Sequence, residues 1–228
     1  MIREVAIQGE RGAFSESAAR KLLGSSVDVV PCRTFDEVFA SVTSGRTAAA
    51  VVPIENSLAG SVIRTYELLG SAGLEIAAET LLRIRLNLIA ARGVPLARIT
   101  RVLSHPVALA QCTRFLAEHP AMEAVVAYDT AGSVKLILES DHEAAIAGAD
   151  AATLYGAEIL AANIEDHAEN YTRFVLLAPP PLAATLRRND APLKTTVLFR
   201  TPNKPGALFR ALAAFALRDI NLTKLESR

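Results

Sequence analysis

Short apolar runs alternate along most of the chain with stretches that carry the spacing and caps of amphipathic helices, and this rhythm restricts the fold more than any other feature. Glu4-Val5-Ala6-Ile7-Gln8 leads through Gly9-Glu10-Arg11-Gly12 into a helix bearing Ala18, Ala19, Leu22 and Leu23, with Ser15 as its expected N-cap. Val27-Asp28-Val29-Val30 follows. Thr34-Phe35-Asp36-Glu37 then reads as a capping box, Gly45 closes its helix, and Ala48 to Val52 is a buried strand. Strand alternating with helix predicts a mostly parallel sheet covered by helices. The pattern continues with a helix over Ser61 to Leu69, one or two long strands within Leu74 to Ala91, and a strand from Thr100 to Leu103. A helix over Val107 to Leu116, a strand over Glu123 to Tyr128, a helix capped by Thr130 and running through Leu138, and a small-residue strand over Ala144 to Ala147 come next. Two strand-helix sets joined by long extended crossings predict two lobes with a cleft between them.

The polar balance narrows the function. Of 228 residues, 51% are hydrophobic and 21% charged, which gives a globular chain with ample core. Lysine plus arginine and aspartate plus glutamate both number 24, so nothing favours a polyanionic partner or an anionic membrane surface. Without tryptophan or an aromatic-basic stripe, nucleic-acid binding is disfavoured. Cys32 and Cys112 lie far apart in the sequence, and no signal peptide is evident at Met1-Ile2-Arg3-Glu4, so reduced thiols in a cytoplasmic protein are expected. His105, His119, His142 and His167 lack metal-ligand spacing, so no metal is expected. No apolar stretch is long enough to span a membrane.

Composition changes at Ala178. Pro179-Pro180-Pro181 and Arg187-Arg188-Asn189-Asp190 read as a stiff polar linker over 179–192. A fresh unit then starts with strand character at Lys194 to Phe199. Its helix begins near Pro205 and presents Leu208, Phe209, Leu212, Phe215 and Ala216 on one face, and Ile220 to Leu225 alternates as a second strand.

Polar residues gather at the ends of the apolar runs, which is where open α/β proteins bind ligands. Gly9 to Ser15 offers a flexible turn and a helix N-terminus. Val52-Pro53-Ile54-Glu55-Asn56-Ser57 places an acid, an amide and a hydroxyl after a buried strand, followed by Gly60-Ser61. Ser104-His105-Pro106 with Gln111 is the third cluster, and Asp129-Thr130-Ala131-Gly132-Ser133 the fourth. Asn170-Tyr171-Thr172-Arg173-Phe174 runs into the apolar Val175 to Ala178 as the fifth. There is no phosphate-binding glycine loop, nucleophile elbow or metal cluster. These features point to a reaction without a cofactor on a small anionic metabolite.

Through Gly12-Ala13-Phe14-Ser15-Glu16, Pro53 to Ser57, Ser104-His105-Pro106 with Ala110-Gln111-Cys112, Asp129 to Ser133 and Asn170-x-Thr172-Arg173-Phe174, the chain resembles the prephenate dehydratases. The resemblance implies an α/β, bilobal catalytic domain (1–178) like type-two periplasmic binding proteins, followed by a partial α+β regulatory domain of the ACT type (193–228). It also implies decarboxylative dehydration of prephenate to phenylpyruvate, a lyase step of phenylalanine biosynthesis, by an enzyme expected to be a homo-oligomer. By that analogy Thr172 is the principal catalytic residue, Asn56 and Gln111 bind or act on substrate, Thr130 faces the cleft, and Phe174 completes the substrate-binding motif. The leaving hydroxide needs a hydrogen bond or a proton, so Thr172 is expected to donate to it, with Glu55 or His105 as proton source. Arg173 and Ser15 are candidates for holding carboxylates. Val107 stands where the family carries glutamine after His-Pro. The ACT-like portion places L-phenylalanine, as effector, against Gly206, Ala207, Leu208, Glu226 and Ser227. It reaches about halfway through the β-α-β-β-α-β unit, which weighs against feedback binding. The alternatives are the same chemistry on arogenate, or a non-catalytic small-anion-binding protein on the same scaffold.

Overall fold

A computed structural model describes residues 2–187 and 193–226. The apolar alternation produces two mixed sheets. Glu4–Gln8 (β1), Asp28–Cys32 (β2) and Ala49–Asn56 (β3) are linked by helices Phe14–Leu23 (α1) and Phe35–Thr43 (α2). The two-residue strand Gly60–Ser61 (β4), helix Ile63–Leu69 (α3) and strand Glu75–Arg83 (β5) follow. The chain then crosses to a second sheet built from Asn87–Ala90 (β6), Arg101–Ser104 (β7), Glu123–Val126 (β8), Glu143–Ala147 (β9) and Glu158–Ala161 (β10). Helices Pro106–Ala110 (α4), Thr113–Glu118 (α5), Thr130–Leu136 (α6) and Ala149–Tyr155 (α7) belong to this second lobe. Tyr171–Ala178 (β11) returns to the first sheet, and helix Pro180–Leu186 (α8) follows it.

The strand order is β2-β1-β3-β11-β5 in the first sheet, with β4 on β3, and β10-β6-β9-β7-β8 in the second. β1 runs parallel to β2 and β3, whereas β11 is antiparallel to both β3 and β5. In the second sheet β7 is parallel to β8 and β9, while β6 is antiparallel to β9 and β10. The expectation of a mostly parallel sheet is therefore corrected. Strands that return across the lobes enter against the direction of their neighbours, and apolar runs buried on both faces look alike in either direction. Phe174, Leu176 and Ala178 pack with Val5, Ile7 and α1, while Val175 and Leu177 pack with Val38, Phe39 and α2 on the other face.

Other expectations are corrected locally. Ser15 does not cap α1, whose N-cap is Ala13 with no side-chain bond. Asp129, not Thr130, caps α6 by accepting from Gly132 N. The single helix expected over Val107 to Leu116 breaks into α4 and α5 at Gln111-Cys112. Pro180–Leu186 is helical with Ala183 buried, so the linker begins later than its prolines suggest: a proline fits a first helical turn as readily as a linker. Thr34 accepts from Glu37 N at 3.2 Å, as the capping box requires.

Residues 190–228 form a separate unit. Its helix, Ala207–Ala216 (α9), starts after Gly206, but no strand forms among the described residues at the two places the sequence suggests. Ser227 lies outside the described residues. No helix among the described residues is long and apolar enough to cross a membrane.

Candidate active site

Because β11 is antiparallel to β3, its first residues lie beside the last residues of β3. The register sets Thr172 opposite Asn56 and Arg173 opposite Glu55, with a bulge at the next step where Phe174 pairs with Pro53. Directly opposed residues share a face and successive ones alternate, so Asn56 and Thr172 face one way and Glu55 and Arg173 the other.

Asn56 is oriented by its own turn. Its Oδ1 accepts from the backbone N–H groups of Leu58 (3.0 Å) and Ala59 (2.8 Å), which only an oxygen can do. Nδ2 therefore points the other way and donates to Thr172 Oγ1 (2.9 Å) and Asn170 Oδ1 (2.8 Å). Asn170 Nδ2 donates to Gln111 Oε1 at 2.8 Å, and Gln111 Nε2 returns to Asn56 Oδ1 at 3.4 Å. The three carboxamides close a head-to-tail ring with Thr172 attached to it, joining the first sheet to the α4-α5 junction of the second lobe.

The ring has a chemical polarity. Asn56 has spent both Nδ2 hydrogens, and its oxygen and those of Asn170 and Gln111 are all engaged. A hydroxyl has one hydrogen to give, and Thr172 Oγ1 uses its bond to Asn56 as acceptor, so among the described residues its own O–H is unspent. The second Gln111 Nε2 hydrogen is likewise unspent among them. Two donors, the Thr172 hydroxyl and Gln111 Nε2, thus remain for a ligand, and they suit an anion or a departing oxygen.

Gln111 owes its place to the break between α4 and α5. Asp166 caps α5 by accepting from Thr113 N (2.9 Å), Thr113 Oγ1 (2.6 Å) and Arg114 N (2.9 Å), while its own N–H donates to Gln111 O at 2.7 Å. Burial pushes Asp166 up, but the Thr113 hydroxyl and the two backbone N–H groups outweigh it and hold the carboxyl below its ordinary range. Cys112 beside it is wholly buried, and burial pushes its thiol up to about 12, which rules out a thiolate nucleophile at neutral pH.

The other candidates sit elsewhere. Arg173 Nε donates to Glu79 Oε2 at 2.8 Å, and Glu55 Oε2 lies 3.9 Å from Arg173 Nη1, so this arginine and both acids brace the far face of the sheet. Phe174 is 2% exposed within the core. Ser15 is buried in the first turn of α1, and Thr130 opens α6. His105 caps α4: its Nδ1 accepts from Val107 N at 3.3 Å, leaving the ring hydrogen on Nε2. Burial lowers its pKa, only partly countered by Asp129, so at neutral pH it is a neutral N–H donor. The Val107 backbone serves His105 although its side chain lacks the polar group expected there.

The chain matches the prephenate dehydratase family over residues 5–181. It belongs to that family. Arogenate dehydratase 2 of Petunia hybrida is 46% identical over 98% of this chain and 56% of its own length. An arogenate dehydratase/prephenate dehydratase of Arabidopsis thaliana is 46% identical over 98% of this chain and 58% of its own. The chain thus spans little more than half of these curated relatives. A prephenate dehydratase from Arthrobacter aurescens, solved in complex with L-Phe, superposes with a TM-score of 0.84 at 33% identity, covering 99% of this chain and 76% of that one.

In this member of the prephenate dehydratase family, the loop after β1 seals the two lobes against each other. Glu10 N donates to Asp129 Oδ2 at 3.1 Å, Ser17 Oγ to Asp150 Oδ2 at 2.6 Å, and Tyr155 OH to Arg11 O at 3.0 Å. Gly9 and Gly12 both have positive φ, and a β-carbon on Gly12 would come 2.9 Å from Ala151 Cα, so a side chain there would hold the lobes apart. Asp129 is 6% exposed, and burial raises its pKa although the N–H groups of Gly132, Glu10 and Thr130 oppose the rise. The sequence placed Asn170 and Asp129 in polar clusters but gave neither a role at the site. The signal for Asn170 is its spacing: two residues before Thr172 in extended backbone, it shares that face.

Proposed function

We propose that this chain carries out the decarboxylative dehydration of prephenate to phenylpyruvate. The observation that carries the reading is the pair of unspent donors at the carboxamide ring, one Gln111 Nε2 hydrogen and the Thr172 hydroxyl, whose oxygen already accepts from Asn56. In this reaction a ring carboxylate leaves as carbon dioxide while hydroxide leaves from the opposite ring carbon. The electron pair of the breaking carbon–carbon bond passes through the ring and expels the oxygen. Aromatisation supplies the driving force, so the protein needs mainly to position the substrate and stabilise charge on the departing oxygen. A threonine hydroxyl is too weak an acid to surrender its proton outright, but held as a donor it stabilises that charge. Gln111 Nε2 is a further donor. Glu55 is set aside as proton source because it sits on the opposite face with Arg173.

A second reading, arogenate as substrate, is favoured by the names of relatives that share 46% identity. Incubating the full chain separately with prephenate and arogenate, and following phenylpyruvate or phenylalanine by ultraviolet absorbance, decides between them. Turnover of neither acid overturns both readings and leaves a binding role. Adding L-phenylalanine to the same reaction tests the C-terminal unit as an effector module.

A further inference from the structure

We infer that Asn170 is a positioning residue, fixing the carboxamide of Gln111 so that its Nε2, and not its oxygen, is turned toward Asn56 and left with a hydrogen for the substrate; this rests on the dehydratase reading above. Asn170 is wholly buried and lies where the second crossing between the lobes enters β11. Its backbone oxygen accepts from Ile84 N at 2.8 Å, which ties it to the first crossing as well. Its side chain thus has little freedom to reorient.

The orientation passes around the ring in one direction. Backbone N–H groups fix Asn56, and Asn56 Nδ2 then requires an oxygen from Asn170. Asn170 can satisfy it only by turning Nδ2 toward Gln111, whose Oε1 is thereby held as the acceptor. Gln111 alone would be free to flip, since its return bond to Asn56 is long at 3.4 Å. Flipped, it would set an oxygen against Asn56 Oδ1 and offer a lone pair where a dicarboxylic substrate needs a donor. Asn170 is the member of the ring that forbids this, through its bond to Gln111 Oε1.

Residue 170 must therefore supply one donor and one acceptor. A carboxylate supplies only acceptors, whereas a protonated carboxyl supplies one of each. Asn170→Asp is accordingly a switchable variant. The site is fully buried and the charged form would face Gln111 Oε1, so its carboxyl should titrate well above the usual value of about 3.9.

The test measures kcat and KM for the turned-over acid with the full-length chain and its variants, from about pH 8.5 to about pH 5.5, and checks folding by circular dichroism. Asn170→Asp is expected to lose on the order of 100-fold in kcat/KM at the alkaline end, the scale of one misplaced donor, and to recover most of it on acidification. Asn170→Ala should carry a comparable loss that follows the pH profile of the parent, because it has no proton to regain. If Asn170→Asp does not fold, Asn170→Ala is combined with Gln111→Ala. A double variant no slower than Gln111→Ala alone supports action through Gln111, and full additivity overturns it. Asn170→Ala within threefold of an active parent, or an Asn170→Asp deficit indifferent to pH, also overturns the assignment. A parent inactive on both acids sinks the dehydratase reading and this one together, whereas an active parent with an unimpaired Asn170→Ala sinks this one alone.

Discussion

Thr172 has a hydroxyl whose role is decided by a neighbour. As Asn56 Nδ2 already donates to its oxygen, the Thr172 hydrogen is directed away from the ring. Thr172→Ala should therefore lower kcat by about 10²–10³-fold, the range found when one preorganised donor is removed, while leaving the melting temperature close to that of the parent. Thr172→Ser keeps the hydroxyl and should retain more turnover than Thr172→Ala, though it loses the methyl that holds the rotamer. Comparing kcat and circular dichroism for both checks this; equal losses would remove the hydroxyl from the mechanism. Thr172, Asn56 and Gln111 were all legible in the sequence. Glu55 and Arg173 were given the wrong company because strand alternation places a residue on a face only once its partner strand and register are known. The Arg173–Glu55 pair becomes a brace through antiparallel pairing and a bulge, neither of which a single apolar run encodes.

At the scale of elements, the loop from Gly9 to Ala13 and the helix α1 behind it hold the lobes together. Glu16, buried in the first turn, accepts from Gly12 N at 2.7 Å and pairs with Arg20 at 2.7 Å. Burial pushes the Glu16 pKa up, yet the Gly12 N–H and Arg20 outweigh it and leave the carboxyl below its ordinary value. A carboxyl lowered in the folded state contributes stability above its unfolded pKa, and that contribution is lost as the pH falls through the folded value. The parent should thus lose more thermal stability than Glu16→Gln on acidification from about pH 6 to about pH 3, and melting temperatures across that range check it. Parallel losses would show that Glu16 adds nothing specific. Gly12→Ala acts on the same loop. With φ at 84° and its β-carbon 2.9 Å from Ala151 Cα, alanine there costs about 1–3 kcal/mol and spreads the lobes. Turnover should fall more than tenfold in a chain that still folds, read from kcat/KM and a thermal melt. The sequence offered this loop as a turn and an anion site; its glycines serve close packing against α7, a contact invisible before the lobes are placed.

The whole molecule divides unevenly. Among the described residues, the four apolar clusters draw only on residues before Arg187, including Leu182 and Leu186 of α8, which pack beside Val5 and Phe174. The two-lobed plan was legible from the repeated strand-helix sets. The boundary was not, because the prolines at Pro180 and Pro181 read equally as a linker and as the first turn of α8, and only burial of Ala183 separates the two. The partition yields a direct test. The unit over residues 1–189 draws its core from within itself, so a chain ending at Asn189 should fold cooperatively without residues 190–228. Its melting temperature should lie within about 4 °C of the full chain, the shift that about 1 kcal/mol produces in a domain of this size. Differential scanning calorimetry with far-ultraviolet circular dichroism makes the comparison. A truncated chain that melts much lower, or without a cooperative transition, would mean that the C-terminal unit supplies stability from outside those four clusters.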